Sequence, residues 1–283
     1  MPLLAIPFPH IDPVALAIGP FAIRWYALSY VAGIVLGWWY SRRLAADAAL
    51  WGDVPRPSRT DMDDQIVWIA LGIVLGGRIG YVLFYNLASY IEHPAEILTV
   101  WRGGMSFHGG FLGTILAIVL FARARRFHPL AMLDVAAVVT PIGLFTGRLA
   151  NFVNGELWGR PAPDVPWAVV FPLGGDVPRH PSQLYEAFGE GICLLVILGI
   201  AVRFVGFRRP GLIGGLFVFG YSVARIVCEF FREPDVQLGF LFGGITMGQL
   251  LSVPMAVVGA GVMVAAVRGW TRPRHRNGVE AAA

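Results

Sequence analysis

QIVWIALGIVLGGRIGYVLFYN, residues Gln65 to Asn86, is the stretch on which the fold turns, and Arg78 is its only charge. A helix rising about 1.5 Å per residue over this length reaches about 30 Å, the hydrocarbon thickness of a bilayer. The run is continuous rather than alternating, which argues against a barrel strand. Working outward, similar stretches recur at about 19–40, 107–122, 131–150, 183–202, 211–230 and 245–267. The third of the seven is short and opens on Phe107-His108-Gly109-Gly110, so its outer end is read as sunken. The composition agrees. Of 283 residues, 56% are hydrophobic and 14% charged, and mean hydropathy is +0.64. A soluble domain carries about a quarter charged residues. Backbone in lipid must satisfy its own hydrogen bonds, so helices are expected. The reading is an all-α integral membrane protein, one membrane-embedded domain over residues 1–283.

Orientation follows from the arginines. All 22 basic residues are arginine, a preference read as a genome effect; their placement carries the information. Arg42, Arg43, Arg56 and Arg59 fall in one loop, Arg123, Arg125 and Arg126 in a second, and Arg203, Arg208 and Arg209 in a third. Arg268, Arg272, Arg274 and Arg276 follow the last span. With seven crossings these regions share a side, which the positive-inside rule makes the cytoplasm. The N-terminus is then outside and the C-terminus inside. Segments 87–106 and 151–182 face outward, the second rich in Pro, Gly and Trp and read as a small irregular head. Cys193 and Cys228 lie in apolar stretches, where neither a disulfide nor a cysteine metal site is expected.

Eight arginines remain: Arg24, Arg78, Arg102, Arg148, Arg160, Arg179, Arg225 and Arg232. An arginine at a span centre costs about 2.5–3.5 kcal/mol on insertion scales. Each such residue either pairs with a carboxylate to pin helices or lines a polar cavity. Arg78 is open to both readings, as a helix pin or as a headgroup ligand. Tyr221, Arg225 and Glu229 follow at i, i+4 spacing and share one helix face, which favours the cavity. Gly147-Arg148, Asn151, Asn154-Gly155-Glu156 and Trp158-Gly159-Arg160 form the densest polar cluster. Guanidinium forks match phosphate oxygens and amides add neutral donors; the bland alternative is a loop cap at the membrane surface. His108, among glycines at a span mouth, is either structural or an acid–base group. Ser182 is a plausible helix cap. Glu186 and Glu190 share a face and are candidate partners for the buried arginines.

The sequence lacks a zinc H-E-x-x-H motif, a phosphate-binding Walker loop and a G-x-S-x-G elbow. The pattern indicates phosphate binding without metal or cofactor, and nothing in it indicates a nucleic-acid partner. A lipid or anionic-solute transporter is the competing class, with the arginines binding cargo. It predicts repeat symmetry, and no internal repeat is visible. An intramembrane protease would need paired aspartates or a Ser-His set.

IRWYALSY (23–30), GGRIGYVLFYN (76–86), WRGGMSFHGG (101–110), GRLANFVNGELWGR (147–160), RHPSQLYEA (179–187), YSVARIVCEFFREPD (221–235) and GITMGQLLSVPM (244–255) occur in this order. In these motifs the chain resembles the prolipoprotein diacylglyceryl transferases. The resemblance implies a bacterial inner-membrane enzyme with seven spans and an outward-facing site. It implies transfer of a diacylglyceryl group from phosphatidylglycerol to the lipobox cysteine of a prolipoprotein, forming a thioether and releasing glycerol 1-phosphate. Its motifs carry functional roles to Tyr26, His108, Arg148, Asn151, Glu156, Gly159, Tyr221, Arg225 and Glu229. Arg148 and Arg225 are then expected to hold the phosphate, with Asn151 as an added donor. The thiol, ordinarily titrating near 8.5, needs a base. His108 is the first candidate, with Glu229 or a tyrosine-linked relay open.

Overall fold

A hairpin, not a helix, occupies the start of the first apolar stretch, and helix follows from Trp25. The computed structural model describes residues 6–9, 11–234 and 239–272; Arg274 and Arg276 of the tail lie outside the described residues. After a short strand β1 (Ile6–Pro7), β2 (Val14–Ile18) turns at Gly19-Pro20 and pairs antiparallel with β3 (Phe21–Arg24). Helix α1 therefore runs over Trp25–Ala46 rather than 19–40. Hydropathy alone does not part the apolar residues Phe21–Ile23 of the second strand from the helix that follows them.

The other helices fall near their expected positions. They are α2 (Arg59–Tyr85), a short α3 (Leu87–Glu92), α4 (Phe107–Ala124) and α5 (Pro129–Val153). Then come α6 (Ser182–Glu186), continued through a π-helical stretch Ala187–Cys193 into α7 (Leu194–Val205), and α8 (Leu212–Glu229) and α9 (Met247–Val267). Among the described residues, six helices are long and apolar enough to cross a membrane: α2, α4, α5, the α6–α7 rod, α8 and α9. Helix α1 falls outside that set, diluted by Trp25, Tyr26, Tyr30, Trp38, Trp39 and Tyr40 and by Arg42 and Arg43.

Local chemistry sets the ends. Ser58 Oγ accepts from the Asp61 amide at 3.1 Å while Asp61 accepts from the Ser58 amide at 2.8 Å, a reciprocal cap that starts α2. Thr246 and Gln249 start α9 in the same way. Pro129 opens α5 where its missing N–H costs nothing.

Helices α2 and α4 touch backbone to backbone. A Cβ on Gly72 would sit 2.5 Å from the Gly113 carbonyl oxygen, and one on Gly80 would sit 2.8 Å from Gly109 Cα. Small residues at this spacing let lipid-facing helices approach closely, where van der Waals packing replaces the absent hydrophobic drive. The same contact fixes the first turn of α4, and with it His108.

The basic loops gather on one face. Arg42 pairs with Asp63 at 3.2 Å, and Arg125 pairs with Asp61 at 3.4 Å and with Asp64. The Phe207 amide donates to the Leu50 carbonyl at 2.6 Å, and the Trp51 and Phe207 rings meet at 4.8 Å. Buried Asp134 of α5 accepts from the Gly211 and Gly214 amides at 2.7 and 2.6 Å, filling donors that the start of α8 leaves free. At the opposite end, β1 pairs with β4 (Val169–Val170) in parallel. Phe8, Phe152, Trp158 and Phe171 pack a small aromatic core beneath this head.

Candidate active site

Three helical elements converge on one buried ionic cluster below the head. Helix α5 brings Arg148 on its last turns. The α6–π–α7 rod brings Glu186 and Glu190, both fully buried. The end of α8 brings Arg225 and Glu229, and Arg232 follows just beyond it. Glu186 is the hub: Arg148 Nε lies 2.7 Å from it, one Arg225 terminal nitrogen 2.9 Å, and Arg232 3.3 Å. Arg225 also reaches Glu229 at 2.5 Å, the i, i+4 pair expected from sequence. Glu190 is held less closely, 3.4 Å from Arg148 and 3.7 Å from Arg225.

Among the described residues, the three arginines and three glutamates of the cluster balance in charge. Burying ions away from water costs several kcal/mol each unless they are paired and hydrogen-bonded. A neutral cluster is what this depth permits. The π-helical turn is the device that presents its two acids, since widening the rod at Ala187–Cys193 re-aims the side chains on either side of it. Such turns cluster at functional sites. Glu186 and Glu190, expected partners of the buried arginines, are their partners. Arg232, left unassigned in the sequence reading, belongs to the cluster as well. It lies three residues past the end of α8, where no helical spacing marks it, and its closeness in sequence to Glu229 was the available signal.

Helix α5 ends at the Asn154-Gly155 break, where Gly155 takes φ +64°, a conformation glycine adopts without strain. The returning chain puts Glu156 against its own helix. Asn151 donates to the Glu156 carboxylate at 2.8 Å and Asn154 donates to the same oxygen at 3.3 Å. Gln183 donates to the Glu156 carbonyl at 2.6 Å, tying this corner to α6. Gly159 passes between Phe231 and His180, where a Cβ would lie 2.6 Å from the His180 oxygen; its place is a close backbone approach. Arg160 donates to the Glu229 and Arg232 carbonyls, each at 2.9 Å, and so locks the end of α8 over the cluster.

Arg148, Asn151 and Tyr221 also line a cavity of about 630 Å³ between α1, α2, α4, α5 and α8. Its other walls include Tyr26, Ser29 and Tyr30 of α1, Gln65 and Ile69 of α2, and Phe107 and Thr114 of α4. The Tyr26 and Tyr30 hydroxyls share a hydrogen bond at 3.1 Å. The cavity is apolar along most of its length and polar at the cluster end, a lining suited to an amphipathic molecule.

Two expected residues lie apart from the cluster. Arg78 is buried, but its guanidinium donates to backbone carbonyls: Ile97 at 2.8 Å, Gly103 at 2.7 Å, Gly104 at 3.1 Å and Glu96 at 2.5 Å. It also stacks over the Tyr90 ring at 5.1 Å. Neither the carboxylate partner nor an open ligand position is what surrounds it; it clamps the loop before α4. His108 is exposed on the first turn of α4, its ring against Phe107 at 5.7 Å. Phe107 lines the cavity, and His108, its neighbour in the chain, is exposed and not among the lining residues. In the head, His180 Nδ1 shares a hydrogen bond with the Tyr185 hydroxyl at 3.1 Å, and Trp167 Nε1 donates to that hydroxyl at 2.7 Å.

The family described as "Prolipoprotein diacylglyceryl transferase" matches residues 13–265. A Rhodopseudomonas palustris protein named phosphatidylglycerol–prolipoprotein diacylglyceryl transferase is 59% identical, over 97% of this chain and 95% of its own. A protein of the same name from Beijerinckia indica is 60% identical, over 94% of this chain and 97% of its own. One from Nitrobacter hamburgensis is 56% identical, over 95% and 92%. With the match spanning nearly the whole chain and taking in the cluster and the cavity alike, the protein belongs to the prolipoprotein diacylglyceryl transferase family.

Proposed function

We propose that the protein transfers the diacylglyceryl group of phosphatidylglycerol to the lipobox cysteine of a prolipoprotein, and that the arginine–glutamate cluster is where the phosphate is held. The observation that carries this reading is the convergence of Arg148 and Arg225 on shared carboxylates at the polar end of a long apolar cavity. Family membership favours the enzyme over the transporter reading. The thiolate sulfur attacks the glycerol carbon, a C–S bond forms, and the C–O bond to phosphate breaks. Charge builds on the phosphate oxygens as glycerol 1-phosphate leaves. Preorganised guanidiniums away from bulk water stabilise such charge strongly. Tyr221 and Tyr26 flank the lipid in the cavity. Glu229 aims Arg225, Glu156 orients Asn151, and Gly159 sets the loop above them. His108, exposed next to the cavity residue Phe107, is the candidate acceptor of the thiol proton as the peptide enters. Arg78 serves by shaping the loop beside His108.

The membrane arrangement belongs to the same proposal. Helix α1 is the seventh span. Strand β1 pairs with β4 of the head, so an even number of crossings separates them; α2, α4 and α5 supply three and α1 the fourth. The Phe207–Leu50 contact requires an even number between those loops, met by α2, α4, α5 and the α6–α7 rod. The loops rich in arginine then face the cytoplasm and the head faces the periplasmic side of the inner membrane. Incubating the purified protein with phosphatidylglycerol and a lipobox peptide, then weighing the peptide, tests the reaction. A gain of one diacylglyceryl unit is expected; an unmodified peptide with well-folded protein sinks the reading.

A further inference from the structure

Glu190 is the loosest member of the buried cluster, and the reaction outlined above gives it no task. Its carboxylate makes one long hydrogen bond, from Arg148 at 3.4 Å, and stands 3.7 Å from Arg225. Its Oε1 has no hydrogen-bond partner although it is fully buried; the Glu186 Oε2 also lacks one, yet it lies 2.7 Å from Arg148 Nε where the Glu190 Oε1 has only Arg225 at 3.7 Å. Glu186, by contrast, meets three guanidiniums at 2.7–3.3 Å. Glu229 meets Arg225 at 2.5 Å, and its carbonyl is pinned by Arg160. Glu190 is thus the weakest-held acid, and it occupies the two arginines that the proposed reaction assigns to phosphate.

Charge counting makes this a functional matter. Counted over the described residues, the cluster is neutral before substrate arrives. A phosphodiester monoanion added to it leaves one uncompensated negative charge out of water, and like charges there disfavour a second ionised acid. Resting on the phosphate reading above, we propose that Glu190 is the exchangeable anion of the site: the lipid phosphate replaces it on Arg148 and Arg225, and Glu190 takes a proton from solution as it lets go. No bond to carbon changes in this step. One proton moves from water to a Glu190 oxygen and returns to water when the phosphate product departs. The charged and titratable groups acting on Glu190 are Arg148 on α5, Arg225, Tyr221 and Cys228 on α8 and Glu186 on its own rod, with Glu229 bound to Arg225 and Arg232 bound to Glu186 one step away. The other two glutamates are held too tightly to exchange first.

Proton uptake on binding makes lipid affinity fall as pH rises. Where free Glu190 is ionised, KM for phosphatidylglycerol should climb toward about tenfold per pH unit, by linkage. Glu190→Gln should give a lower KM that no longer changes with pH, with kcat reduced because the product is no longer displaced. A flat wild-type KM overturns the proposal, and so does a Glu190→Gln enzyme that keeps the wild-type slope. Should the variant not fold, wild-type protein suffices. Mixed with phosphatidylglycerol micelles in weak buffer with a pH dye, it should take up about one proton per lipid bound, and no uptake overturns the idea. Arg225→Lys separates the two claims. Undiminished lipid binding there sinks the phosphate reading itself; lost binding there, with no proton uptake by wild type, sinks only the role of Glu190.

Discussion

Arg78 and Arg225 are both arginines inside apolar helices, and the structure surrounds them with opposite partners. Arg78 faces backbone carbonyls of a single loop and the face of Tyr90. Arg225 faces three carboxylates from two elements and stands 15% exposed. Carbonyls are neutral acceptors with no protonation state to change, so Arg78 is a clamp that holds one geometry. Carboxylates compete with phosphate for the same fork, so the grip of Arg225 is open to exchange. A buried arginine becomes a binding group when the partner opposite it is itself an anion that substrate can replace. The cost of burial is similar at both positions; the partner decides what it accomplishes.

The same substitution at the two positions is the sharpest way to break this contrast. Arg225→Lys replaces a bidentate fork with a point charge, and turnover should fall on the order of 10²–10³-fold, the usual loss for a transition-state donor. Arg148→Lys should behave alike, because Arg148 contacts Glu186 and Glu190 from the other side. Turnover within a few-fold of wild type in either variant would dissolve the distinction. His108 comes next. As proton acceptor for the thiol, its replacement in His108→Asn should cost about 10²-fold, the lower range for general-base loss. Near-normal turnover would reduce it to a surface residue. Arg78→Lys belongs at the clamp end of the scale. An ammonium still donates to carbonyls, so turnover should stay within about tenfold, with about 1–2 kcal/mol lost from stability for the missing hydrogen bond. Thermal unfolding in detergent would read the second quantity. A collapse of turnover without any loss of stability would return Arg78 to the substrate.

Hydropathy made the helices legible, and it failed where two apolar elements abut. Val14–Ile18 and Phe21–Arg24 are as apolar as a helix end, and only the Gly19-Pro20 turn betrays a hairpin too short for alternation to register. The cluster was legible to the extent that its spacing was helical: Tyr221, Arg225 and Glu229 in one row, Glu186 and Glu190 in another. The π-helical turn at Ala187–Cys193 has no pattern of its own, so the sequence could not show which glutamate would be gripped and which left loose. The partners of Arg78 were unreadable for a different reason. Every residue carries a carbonyl, and nothing in a sequence marks the ones a guanidinium will find. Asn151 is expected to serve substrate and lines the cavity, and its amide also meets Glu156, which follows it across the Asn154-Gly155 turn, a contact the sequence did not mark. A turn that short folds polar side chains back on one another before any ligand arrives.

The smallest expected effect lies in the head, where His180 extends the contrast between fixed and exchangeable partners. Burial holds its imidazole below the ordinary histidine range. Trp167 is a donor only, so the Tyr185 oxygen accepts from it and the Tyr185 proton is left to reach His180 Nδ1. Protonating that nitrogen turns an acceptor into a donor, so the Tyr185 proton must turn away and the bond must be remade in the opposite sense. For a histidine whose folded value is depressed, the stabilisation is present above the ordinary value near 6.5 and is lost as pH falls through the lowered folded value. The His180 backbone receives Gly159 and donates to Arg160, and Arg160 in turn pins the end of α8. Acidification below the ordinary histidine range should therefore loosen the head around Trp167 while leaving turnover at neutral pH untouched. A shift in tryptophan emission that vanishes in both Trp167→Phe and His180→Gln would establish the link, because glutamine keeps an acceptor without a titration. An emission step that survives in His180→Gln would show that the head answers to some other group, and that the chain from Tyr185 to Arg160 is merely packed together rather than coupled.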